Sequence, residues 1–193
     1  MGTLTGPVRL FVTDEAGNSA AVDLNPVLDQ IHLLSLGDSA SPPTNNSAPL
    51  VAHADGSLVS NMKPANPGEE LVAYAVGLGL TSPLVGTGKP TPSPAPRATA
   101  PFAINYAFSP NAAPSAGLVS VSWFSTPGDL AAFPAPLFVG LSPGSVGLYH
   151  LNSVVPSPPS GTLPCGGNVY SNLTVSFVGP GSLHGASICV TVP

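Results

Sequence analysis

Gly140-Leu-Ser-Pro-Gly144 has the G-x-S-x-G spacing of a hydrolase nucleophile elbow. That device needs a strand, a strained turn and then a helix, so that the serine stands exposed beside oxyanion donors. Here Pro143 occupies the turn, and residues 146–155 alternate apolar and polar as a strand does. The pattern reads as a turn, and no catalytic residue is assigned. Gly88-Lys89-Pro90-Thr91 is the nearest approach to a phosphate loop. It lacks the first glycine at the required spacing, and Pro90 removes a backbone donor that a phosphate needs. The histidines His32, His53, His150 and His184 fall at no metal-ligand spacing, and no HExxH occurs. Folding could gather two of them with Asp55 or Asp129, but lone solvated histidines are the expectation, so no metal and no cofactor are assigned. Asp14-Glu15 with Asn18 supplies too little oxygen for a calcium cage and reads as a hairpin turn.

Trp123 is the natural residue for stacking on a sugar. It shares a strand face with Val119 and Val121, while Ser120 and Ser122 take the other, which reads as core. Phe124 and Phe133 flank the loop 125–129 and are the better exposed candidates. Trp123, Phe124 and Phe133 are therefore the three possible ligand contacts. Phe102, Ile104, Tyr106 and Phe108 share one face and read as packing. Asn45-Asn46-Ser47 and Asn172-Leu173-Thr174 match the N-glycosylation spacing, taken as coincidental, with Asn172 placed inside a strand. Cys165 and Cys189 are an even pair that suits one disulfide in an oxidising compartment, with two free thiols as the alternative. Cys189 alternates with Ile188 and Val190 and should point away from the core face.

The scaffold that positions these residues follows from composition. In 193 residues there are 25 prolines and 21 glycines, and only 7% of residues are charged. A chain so rich in turn formers borders on low complexity, yet its valine content and modest net charge of −5 favour order. Many short strands joined by turns give the same composition. Two lysines and two arginines cannot build a phosphate-neutralising cluster, which excludes nucleic acid and argues against an anionic membrane surface. No apolar run approaches membrane-span length, so no membrane insertion is expected. The chain opens without a basic and apolar leader; the reading preferred here is a fragment of a longer multidomain chain whose signal lies upstream, with a cytosolic protein as the alternative.

Alternation predicts a hairpin at 8–13 and 19–24, then strands at 30–36, 50–53, 71–76, 102–108, 118–124, 137–139, 148–155, 169–178 and 187–192. A short helix-like stretch at 129–133 counts for little. Tyr149, Leu151 and Val155 should face the core, and His150 and Asn152 the other way. The segments 38–48 and 86–100 read as loops, the second stiffened by four prolines. Residues 17–24 and 185–192 resemble one another weakly, through chance or duplication. Duplication would make residues 1–25 the last hairpin of a preceding sandwich. The expected organisation is a hairpin and linking strand at 1–36, a loop at 37–49, and an immunoglobulin-like β-sandwich at 50–193.

Five signatures in order carry a family resemblance: Ala54-Asp-Gly-Ser-Leu58, Ala65-Asn-Pro-Gly-Glu69, Tyr74-Ala-Val-Gly-Leu-Gly79 with Ser82-Pro83, Gly140-Leu-Ser-Pro-Gly-Ser-Val-Gly-Leu-Tyr149, and Val155-Pro156. Over residues 50–192 the chain resembles the Solibacter-type acidobacterial C-terminal domain, a paralogous family of uncharacterised function. The resemblance implies an Ig-like sandwich at the end of a long exported bacterial protein, after another Ig-like or TIG-like unit. It implies no activity, and the family's usual residue at Ser142 is alanine. Two departures stand out: the expanded segment 109–136, and the cysteine pair. The function expected is a non-enzymatic structural or adhesive module, secreted or at the cell surface, with a protein or glycan partner. The alternative is a carbohydrate-binding module using the aromatics of 109–136.

Overall fold

The computed structural model describes residues 8–25, 27, 29–38, 48–118 and 133–193. Trp123, Phe124, Asp129, the Asn45 sequon and most of the expected loop 37–49 lie outside the described residues, as does most of the strand expected at 118–124. Among the described residues every regular element is a strand and none is a helix. The first group comprises β1 (Val8–Leu10), β2 (Thr13–Asp14), β3 (Gly17–Asn18), β4 (Val22–Leu24) and β5 (His32–Leu33). Next come β6 (Val51–Ala52), β7 (Glu70–Val76), β8 (Thr81–Ser82), β9 (Arg97–Ala98) and β10 (Ala103–Phe108). The chain closes with β11 (Ala116–Leu118), β12 (Phe138–Leu141), β13 (Tyr149–Val154), β14 (Leu173–Val178) and β15 (Ser182–Ile188).

Two antiparallel sheets share one core. The larger runs β5-β7-β13-β12-β9-β8, with β6 also on β7, and the smaller runs β10-β14-β15-β11. Period-two alternation decides which side chains meet between them. Leu71, Ala73 and Ala75 of β7, Leu151 of β13 and Val139 of β12 come from the larger sheet. Ile104 of β10, Leu173, Val175 and Phe177 of β14, and Ala186 and Ile188 of β15 come from the smaller. Tyr149, Leu151 and Val155 lie on this side, while His150 and Asn152 share the opposite face, so the expected register of β13 holds. Tyr106 and Phe108 pack against the same core, and the Tyr106 hydroxyl donates to the Val154 carbonyl at 2.7 Å.

The segment 29–34 stitches the sheets together. By one edge it belongs to the larger sheet: Gln30 N–H donates to Gly77 O and Leu34 N–H to Tyr74 O, both at 2.8 Å. By the other edge it donates to side chains of β15, Ile31 N–H to Ser182 Oγ at 2.7 Å and Leu33 N–H to His184 Nδ1 at 3.1 Å. Ile31 and Leu33 consequently sit in the common core. Gly77 makes the approach possible: its φ is +79°, and a Cβ there would lie 2.0 Å from the Gln30 carbonyl oxygen. A second tie follows β15, where Ala65 N–H donates to Cys189 O and Thr191 N–H to Ala65 O.

Several boundaries depart from expectation: the hairpin at 8–13 and 19–24 divides into the pairs β1–β4 and β2–β3, and the strand at 30–36 contracts to β5. The last strand spans Ser182–Ile188 rather than 187–192, and its first half escaped the reading because Leu183-His-Gly185 carries no apolar alternation. β14 begins at Leu173, just after Asn172, because residues 166–169 close a tight bridge instead of extending the strand. The proline-rich segment holds a strand, β9, paired to β8 and β12. Two-residue strands are too short to show a period, and proline hides them further.

Candidate functional site

Cys165 and Cys189 are joined, with Cα atoms 5.9 Å apart. Cys189 stays outside the hydrophobic cluster that Ile188 and Val190 enter, yet it is buried under the loop that carries Cys165. Asn172 reinforces the same corner: its side-chain amide donates to Leu163 O and Val190 O, and its carbonyl accepts Val190 N–H at 2.8 Å. It is 1% exposed, so this sequon asparagine serves as a clamp.

Ser142 occupies a hydrogen-bonded turn between β12 and β13. Its N–H donates to Leu148 O, its carbonyl accepts Ser145 N–H, and Thr91 fixes the turn from outside through Gly144 N–H and Ser145 O. His150 lies on the outer face of the larger sheet, its ring stacked on Phe138 at 4.6 Å, with the Arg97 guanidinium 4.7 Å from the Phe138 centroid. Gly140 leaves room for that ring, since a Cβ would come within 2.6 Å of it. Burial pushes the His150 ring below its ordinary pKa, and its Nδ1 has no partner among the described residues. Phe133 is half-buried and has an interaction partner.

The signature residues are bound into the scaffold. Asp55 accepts from the Ser57 N–H at 2.9 Å, from the Ser57 hydroxyl and from Lys63 Nζ at 2.7 Å; Lys63 first, then Ser57, holds its carboxyl well below the usual range. His53 is 6% exposed and places Nδ1 2.6 Å from Glu69 Oε1 and Nε2 3.2 Å from the Lys63 carbonyl. Both ring nitrogens therefore face an oxygen acceptor. Partial burial pushes the Glu69 carboxyl up, but the Asn66 N–H and His53 outweigh it, and the group lies below its ordinary pKa. The Tyr149 hydroxyl donates to the Gly79 carbonyl.

Folding brings together one cluster that chain order conceals. His32 and His184 meet with ring centroids 5.2 Å apart, and His32 Nε2 lies 3.2 Å from Asp38 Oδ1. They line a cleft of about 660 Å³ with Asn61, Pro114 and Tyr170. No group of three or more metal-binding side chains is assembled among the described residues. Beside the cleft, Asp29 is 2% exposed and accepts from Gly181 N–H and from the Ser182 hydroxyl, both at 2.7 Å. No local spacing pointed to this cluster, because β5 and β15 lie at opposite ends of the chain. Comparison with protein-family models, curated proteins and solved structures finds no match to this chain.

Proposed function

We propose that the chain is a non-enzymatic structural or adhesive module of Ig-like sandwich type, carried by an exported bacterial protein and akin to the Solibacter-type C-terminal domains. The observation that carries this reading is the use made of the signature residues. Asp55, Asn66, Glu69, Gly77 and Tyr149 are all spent on turns, ties and close approaches, as expected of residues that specify a fold and not of a site that does chemistry. The buried disulfide supports an oxidising compartment, because such bonds are rare where thiols are kept reduced. Among the described residues no histidine hydrogen-bonds the Ser142 hydroxyl: its turn is satisfied by backbone, and its nearest histidine in sequence stacks on Phe138.

The test pairs a fluorophosphonate probe with a glycan array on the folded protein. A silent probe and a silent array support the structural reading. Labelling that disappears in Ser142→Ala overturns it in favour of a hydrolase. An array signal abolished by Phe124→Ala or Phe133→Ala replaces it with a carbohydrate-binding module.

A further inference from the structure

The stitching segment hangs on the small sheet by two acceptors, and only one of them is an imidazole. Leu33 N–H points at His184 Nδ1, so that nitrogen must keep its lone pair free. A doubly protonated ring would set N–H against N–H. The second ring, His32, stands 5.2 Å away on the same strand as the donor.

We propose that His184 is an acid-operated latch: the neutral ring holds β5 and its flanks against the smaller sheet, and protonation releases that edge and unseats Leu33. The groups that face His184 are His32 from β5 and Asp38 just beyond it, with Tyr170 lining the same cleft. The flanking strands β11 and β14 carry no titratable side chain. Burial and then His32 push the His184 ring below its ordinary pKa, while Asp38 opposes them, so the ring is neutral at neutral pH and the latch is closed. The other acceptor, Ser182, has a hydroxyl oriented by Asp29 and gives the joint a second arm without an imidazole. Release therefore loosens one edge and leaves the β14–β15 ladder intact.

Amide hydrogen exchange resolved to single residues tests this on the whole chain. Between about pH 7.5 and about pH 5, after correction for intrinsic rates, protection at Leu33 should fall about tenfold, the loss of roughly one hydrogen bond. Amides of β14 should keep their protection. In His184→Gln, which retains an acceptor but does not titrate, Leu33 protection should not respond to pH. His32→Gln supplies an independent reading: removing the neighbouring ring should move the midpoint of the Leu33 loss to higher pH. Unchanged protection at Leu33, an equal loss in His184→Gln, an equal loss throughout β14, or an unmoved midpoint in His32→Gln would each overturn the latch.

Discussion

Two hairpins of this chain resemble one another weakly in sequence and meet opposite fates. Gly17-Asn-Ser-Ala-Ala-Val-Asp-Leu24 ends the N-terminal ribbon, and Gly185-Ala-Ser-Ile-Cys-Val-Thr-Val192 ends the small sheet. In the ribbon, β1 pairs among the described residues with β4 alone, and the Arg9–Asp23 ion pair occupies one face. Its other face carries Leu10, Val22 and Leu24, which are 53%, 55% and 46% exposed. In the second hairpin Ile188 and Val190 are 3% and 1% exposed. Alternation makes a strand amphipathic in both cases. Burial comes from what lies opposite: β15 has β14 and β11 beside it, a second sheet across from it, a disulfide and the Asn172 clamp. A two-stranded ribbon has none of these and is marginal in water by itself.

The sharpest break in the comparison is a truncation made in each hairpin. Phe177→Ala removes a side chain 1% exposed at the centre of the second and should cost about 3–5 kcal/mol in urea unfolding. Leu10→Ala in the ribbon should fall within about 0.5 kcal/mol of the parent. Equal costs would show that the ribbon is packed after all. Next in size is the staple. The joined cysteines are 24 residues apart, and the double variant Cys165→Ala/Cys189→Ala should lose roughly 3 kcal/mol, seen as a lower midpoint in the same titration. Asn172→Ala follows, at about 1–3 kcal/mol, because it strands Val190 N–H and two carbonyls in the interior.

The smallest expected effect is the response to acid. His150 and His184 both have ring pKa values lowered by burial, so the unfolded chain binds protons that the native chain refuses. Stability is then complete above the unfolded histidine value of about 6.5 and declines as pH falls through and below it. Melting temperatures measured across that window should drop on acidification, and His150→Gln should shallow the drop. A melting temperature that rose with acid would reverse the sign of the account.

Long strands with apolar alternation were legible from the sequence, whereas the first half of the seven-residue β15 and the two-residue strands were not. β7, β10 and β13 span six or seven residues, enough for alternation to assign faces, and Tyr149, Leu151, His150 and Asn152 all lie where the period puts them. The all-β class and the disulfide followed from composition and cysteine count. β8 and β9 offer two residues each, and β9 sits among prolines whose composition signals a loop. The His32–Asp38–His184 cluster was illegible for another reason: its members are neighbours only once β5 has crossed to β15. The second role of segment 29–34 was hidden likewise, since its acceptors are side chains of a distant strand.

The proposed export of this disulfide-closed module is open to one direct measurement. Cells that produce the chain are fractionated with free thiols alkylated at lysis, and the cysteine peptides are identified by mass spectrometry in each fraction. The account predicts the chain in the culture fluid or on the cell surface, with Cys165 and Cys189 recovered as a linked, unalkylated pair. Recovery in the cytosol with both cysteines alkylated would contradict it.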